Sequence, residues 1–233
     1  MKNPETAGST LGKKIRRSVG ALGFLLPAAA CVPDASNYPP FPDVQISPAA
    51  AVVGNSISSD MAAYYTTQVN GETKRATLAA LGGTGYEYEN QGFTTQRFAQ
   101  FVLDQHPGEA KLVVMNIAGR NDWQKDPSTV AASEVAFAKS LKDQGVETLV
   151  VALEPRLKQV TDVDKALDKL RDTSWEAFEN APRALLPDTV VMVDCSDVVP
   201  YEHYSADKVH LDGVGSEMYA DCAGSGNYSI ATP

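Results

Sequence analysis

The chain has 233 residues, 43% of them hydrophobic and 21% charged, enough for one domain with a sizeable core and no second one. Its formal net charge is −9; the first thirty residues set Lys2, Lys13, Lys14, Arg16 and Arg17 against Glu5, a local net of +4, so the rest carries −13. So acidic a body argues against nucleic acid as a partner and against electrostatic adhesion to anionic membranes.

Residues 1–30 read as an export signal: a basic stretch at 13–17, a short apolar core at 19–27, and Ala28-Ala29-Ala30 as a small-residue cleavage site. The apolar run is shorter than the roughly 20 residues a membrane span needs. Ala-Ala-Ala-Cys also resembles a bacterial lipoprotein box, with Cys31 as the lipidated first residue and the only membrane contact. Ala28 stands where that pattern usually has leucine, so plain secretion is the alternative. Lipidation of Cys31 would leave Cys195 and Cys222 to pair as a disulfide in an exported protein; otherwise both are small buried thiols.

Residues 31–48 hold Pro33, Pro39, Pro40, Pro42 and Pro48 without apolar periodicity, an extended tether ahead of a domain at 49–233. Within that domain short apolar runs alternate with amphipathic segments. Residues 49–53 predict a first strand and 58–68 a first helix. Gly82-Gly83-Thr84-Gly85 lacks the spacing of a phosphate loop and reads as a turn into a weak edge strand at 86–90. A helix over 95–105 has Phe98, Phe101 and Val102 on one face and stops at His106-Pro107-Gly108. Residues 112–117 form a continuous apolar run of the kind buried on both faces of a parallel sheet.

Asp126-Pro127 opens the next helix as cap and first position; Ala131, Val135, Ala138 and Leu141 fall at helical spacing before Gly145. A strand at 148–153 ends at Glu154-Pro155. A longer helix follows, with Val163, Leu167, Leu170, Ser174, Phe178 and Ala181 along one side and Trp175 flanking them. A last strand at 189–193 leads to a loop over 195–212 and a final helix starting near 213–215.

Strands alternating with helices predict an α/β fold: a flavodoxin-like three-layer α/β/α sandwich around a five-stranded parallel sheet of order 2-1-3-4-5. In that order the first and third strands meet at a topological switch point, where sites form beyond the strand carboxyl ends. Ser56 follows the first strand and Asn121 the third. Read alone, strand-Gly-x-Ser makes Ser56 either a helix cap or a nucleophile.

Four blocks occur in order: Gly54-Asn55-Ser56, Asn90-Gln91-Gly92-Phe93-Thr94, Gly119-Arg120-Asn121-Asp122 and Asp207-Lys208-Val209-His210. On these blocks the chain resembles the SGNH hydrolases of the GDSL esterase superfamily, from about residue 49 to about 222. The resemblance implies a serine esterase with Ser56 as nucleophile, His210 as base and Asp207 orienting the base. It implies an oxyanion hole made by the backbone N–H groups of Ser56 and Gly92 and the side-chain amide of Asn121. The chemistry suits those roles, since acyl transfer needs a nucleophile, a base, an orienting group and oxyanion donors.

One departure stands beside the nucleophile, where Asn55 replaces the family's aspartate. Of the other histidines, His106 lies in a helix-ending turn and His203 has no aspartate three residues before it. No cofactor is implied, and no metal either: His-Glu-x-x-His and paired-cysteine spacings are absent. The expected substrate is a small acyl ester, with O-acetyl groups on cell-wall or extracellular carbohydrate the leading case. Acyl transfer or thioester hydrolysis would use the same residues, and a non-catalytic carbohydrate-binding surface module is the rival from another class.

Overall fold

The computed structural model describes residues 44–156 and 162–232. The export segment, Cys31 and the tether as far as residue 43 lie outside the described residues.

Strand β1 (Ile46–Gly54) begins ahead of the expected Ala49 and takes in Pro48. Its pairing shifts register between Ser47 and Ala51, so the proline sits at an irregularity, where a missing N–H costs the ladder nothing. Helix α1 (Ser56–Ala62) follows, then β2 (Thr66–Val69) and β3 (Glu72–Ala80). The expected helix over 58–68 is therefore half right: its second half is a strand. The reason is Asn70-Gly71, whose φ angles of 52° and 82° build a two-residue hairpin turn between antiparallel β2 and β3.

Next come α2 (Thr95–Leu103), β4 (Leu112–Ile117), α3 (Pro127–Asp143) and β5 (Thr148–Leu153). They are followed by α4 (Asp162–Glu179), β6 (Thr189–Val193), α5 (Gly213–Cys222) and the short β7 (Ser229–Ile230). Among the described residues the sheet has seven strands in the order β6-β5-β4-β1-β3-β2-β7, not five. The stretch 86–90 is not a strand. Among the expected five, the second strand's place is filled by β3, giving the parallel run β3-β1-β4-β5-β6.

Side-chain alternation along β4 builds the layers. Val113, Met115 and Ile117 face a core completed by α2, α3 and α4, while Leu112 and Val114 face one completed by α1 and α5. Because α1 and α2 cover opposite faces, adjacent parallel β1 and β4 leave a crevice beyond their carboxyl ends. Ser56 stands at the end of one strand and Asn121 at the end of the other.

Candidate active site

Gly54 ends β1 in a place no other residue fits, since a Cβ there would lie 1.9 Å from Ser58 Oγ and 3.0 Å from Asn116 Cβ. This close approach turns the chain straight into α1. Asn55, not Ser56, is the cap: its Oδ1 accepts the Ile57 N–H at 2.9 Å. Ser56 becomes the first helical residue, relieved of the capping role that the tripeptide alone suggested.

The histidine block arrives from the other end of the chain. His210 Nδ1 lies 2.5 Å from Asp207 Oδ2, while Asp207 Oδ1 accepts the N–H groups of Val209 at 2.9 Å and His210 at 3.0 Å and the Ser205 hydroxyl at 2.7 Å. Burial works to raise the Asp207 pKa, but the His210 ring and the other donors outweigh it and hold the carboxyl well below its ordinary value. Asp207 is therefore ionised at neutral pH. With Nδ1 committed, Nε2 is the ring nitrogen left for chemistry.

The loop hangs from α1. Leu211 donates its backbone N–H to Asp60 Oδ2 at 3.2 Å, and Asp60 lies four residues after Ser56, one turn along the same side of the helix. Asp60 is pushed up to about 6, chiefly by burial, with His210 among the charges that pull it back. The Cys195–Cys222 disulfide is formed and closes the loop that carries Asp207 and His210, from the end of β6 to the end of α5. Sequence reasoning singled out neither Asp60 nor its tie to the loop: a lone aspartate on a helix carries no motif.

Asn121 sits in a single 3-10 turn (Arg120–Asp122) after β4 and donates from Nδ2 to the Thr84 carbonyl at 2.8 Å. Its neighbour Asp122 is buried and accepts the N–H groups of Tyr86 at 2.6 Å and Glu87 at 3.0 Å, pinning residues 85–88 as a loop. Gly85 must be glycine to let that carboxylate in, because a Cβ there would lie 2.3 Å from it.

Asn121 lines a cleft of about 640 Å³ together with Gly83, Tyr88, Asn90, Trp123 and Lys125. Ser56, Asp207, His210 and Gly92 are not among its lining residues; Gly92 is exposed in the turn closed by mutual backbone bonds between Asn90, which does line the cleft, and Phe93. The cause is the position of β3, which delivers Gly82-Gly83 to the sheet's carboxyl edge some ten residues before the expected glycine block.

Behind the site lies a hub that the sequence did not announce. Glu154, at the carboxyl end of β5 and 1% exposed, accepts the Asn55 side-chain amide on Oε1 at 3.0 Å and the Arg120 backbone N–H on Oε2 at 2.8 Å. Arg120 Nη1 continues to the Val209 carbonyl at 2.9 Å. The remaining histidines stand elsewhere. His203 meets Asp212, which already caps α5, at 3.3 Å, and His106 pairs with Glu109 in the turn before β4, at the opposite edge of the sheet.

No family model matches the sequence, and no curated protein does. The fold, however, recurs among solved structures. A family two carbohydrate esterase from Clostridium thermocellum, solved in complex with cellohexaose, superposes with a TM-score of 0.53 at 14% identity, covering 76% of this chain and 62% of that one. An active-site mutant of a family two carbohydrate esterase from the same organism gives 0.52 at 14%, covering 77% and 62%. A lipolytic protein of the G-D-S-L family from Desulfitobacterium hafniense gives 0.52 at 14%, covering 75% of this chain and 96% of that one. The chain spans 62% of the length of the Clostridium chains. At this identity the likeness is one of fold: the chain shares its architecture with these carbohydrate esterase and G-D-S-L family structures.

Proposed function

We propose that this protein is an exported serine hydrolase that cleaves small acyl esters, with O-acetyl groups on carbohydrate as its substrate class. The reading is carried by one observation: an ionised Asp207 holding His210 by Nδ1, on a loop tethered to Asp60 one helical turn from Ser56.

In this reading Ser56 Oγ attacks the ester carbonyl carbon as His210 Nε2 takes its proton. The resulting oxyanion is met by the Ser56 backbone N–H and by the second N–H of the Asn121 side chain, whose first is spent on Thr84. The third donor moves from Gly92 to the Gly82-Gly83 turn, which borders the cleft beside Asn121. Collapse expels the alcohol, which receives the proton from His210, and leaves an acyl group on Ser56. Water, deprotonated by His210, then attacks the acyl carbon, and collapse releases the acid as His210 returns the proton to Ser56 Oγ.

The carbohydrate assignment draws support from the cleft. Trp123 and Tyr88 line it and are 39% and 47% exposed, offering apolar ring faces to a sugar, while Asn90 and Gln124 offer amides to hydroxyl groups. A family two carbohydrate esterase of the same fold was solved with cellohexaose. The export signal and a lipid anchor at Cys31 belong to the same proposal and rest on the sequence.

The test is a panel of p-nitrophenyl acetate, longer p-nitrophenyl esters and acetylated oligosaccharides, given to the wild type and to Ser56→Ala. Acetate release by the wild type, abolished in Ser56→Ala, is expected. Wild-type protein that is folded and inert on the whole panel would contradict the proposal.

A further inference from the structure

The residue before Ser56 departs from the family pattern, and the hub behind the site explains the departure. Asn55 does two things at once: Oδ1 accepts the Ile57 N–H, and Nδ2 donates to Glu154 Oε1 at 3.0 Å. Aspartate could perform the first task as well as asparagine. It could not perform the second, because an ionised carboxylate has no hydrogen to give. Aspartate at this position would set two carboxylates face to face in a buried place, with Asn55 3% and Glu154 1% exposed. One would then have to take a proton, or the contact would open.

Glu154 in turn holds more than Asn55. Its Oε2 accepts the Arg120 N–H at 2.8 Å and lies 3.8 Å from Arg120 Nε. It thereby fixes the turn that presents Asn121. Arg120 carries the restraint on to the carbonyl of Val209, the residue before His210. One side chain, reached across 99 residues from Asn55 and 34 from Arg120, braces all three segments on which the reaction depends.

We infer that Glu154 is the positioning residue of this site and that Asn55 stands before the nucleophile because Glu154 requires a donor there. The inference rests on the hydrolase reading above, since what is positioned is a nucleophile. Glu154 touches no reacting atom; it acts through Asn55 and Arg120.

A donor–acceptor exchange tests it. In Asn55→Asp the carboxylates repel. In Glu154→Gln combined with Asn55→Asp the glutamine amide can donate to the carboxylate introduced at position 55 while its oxygen still accepts from Arg120, and the net charge of the trio is unchanged. The readout is the rate at which Ser56 reacts with a fluorophosphonate, with kcat and KM for p-nitrophenyl acetate beside it and melting followed by circular dichroism. A displaced nucleophile costs on the order of 100-fold. Asn55→Asp is therefore expected to lose roughly that factor in kcat with little change in KM, and the double variant to recover to within about threefold of wild type.

An Asn55→Asp protein that labels at the wild-type rate overturns the inference. So does a double variant that folds yet stays as slow as Asn55→Asp, or one that fails to fold, because the exchange keeps the hydrogen bonds from position 154 to position 55 and to the Arg120 N–H. If Asn55→Asp alone cannot fold, a folded and active double variant supports the inference on its own. Wild-type protein that does not label contradicts the hydrolase reading, and this inference with it; wild type that labels isolates the inference for the variants to decide.

Discussion

His210 and Asp207 form their pair in partial exposure, with side chains 41% and 49% accessible, so their hold on each other depends on short contacts more than on exclusion of water. Asp207 spends both oxygens, one on the ring and one on two backbone N–H groups and a hydroxyl. Asp207→Asn would present an amide where the ring needs an acceptor, so kcat should fall by about 10²–10⁴-fold with KM little changed. Asn121→Ala removes one oxyanion donor, with an expected loss of about 10²–10³-fold in kcat, and an equal effect on KM would contradict the donor role.

A third residue-scale prediction concerns Glu134, which is fully buried on α3 and accepts the Ala118 N–H just ahead of the Gly119-Arg120-Asn121 turn. Burial lifts its pKa from 4.5 to about 8. The folded chain therefore keeps a proton that the unfolded chain has released between those values, so the group's contribution to stability is full below pH 4.5 and is lost as pH rises from there to about 8. At about 1.4 kcal/mol per unit, Glu134→Gln should gain a few kcal/mol over wild type by pH 8. Asp60 follows the same sign in a lower window, from 3.8 to about 6, so urea unfolding of the two proteins between pH 6 and 8 isolates Glu134. Parallel profiles across that range would contradict the assignment.

At the scale of elements, the loop from β6 to α5 is the one whose order matters most, and the disulfide is its closure. Removing a bridge that spans 27 residues costs about 3–4 kcal/mol in the chain-entropy account. Cys195→Ser/Cys222→Ser should therefore melt several degrees lower, and should lose esterase activity on warming before the sheet unfolds; coincident loss of activity and secondary structure would argue against a local role for the bridge. How legible each element was follows from its physics. Strands β4 and β5 are buried on both faces and read as unbroken apolar runs, and α3 announces itself by Asp126-Pro127 and an apolar stripe. Strand β3 begins Glu-Thr-Lys-Arg with its first half largely open to solvent, so no apolar pattern marks it. Asn70-Gly71 is a hairpin signal that the helix expected over residues 58–68 leaves unused. Glycine fared similarly: Gly92 matched a motif in sequence, whereas the course of β3 brings Gly83 to the cleft. The Asp207–His210 pair and the turn that carries Asn121 were legible because their spacing is local. Asp60 and Glu154 were not, because their partners lie 151 and 99 residues away.

Across the whole molecule, the parallel order β3-β1-β4-β5-β6 gathers segments from residues 54 to 210 at one edge of the sheet. The opposite edge, with His106, is left to connections. The cleft opens at the gathered edge, its wall built by residues 83–90 from after β3 and 120–125 from after β4. Because Trp123 belongs to that wall and not to the reacting group, Trp123→Ala should raise KM for an acetylated oligosaccharide by roughly fivefold, about 1 kcal/mol, and leave p-nitrophenyl acetate unaffected. An equal change on both substrates would remove the ring from the sugar's path.

Covalent capture tests whether Ser56 is an activated nucleophile without any knowledge of the natural substrate. The folded protein would be treated with a fluorophosphonate, its intact mass measured and the modified peptide sequenced. A single adduct on Ser56 is expected, slowed strongly in His210→Ala and absent in Ser56→Ala. An adduct on another serine, or labelling of Ser56 at the same rate without His210, would contradict it.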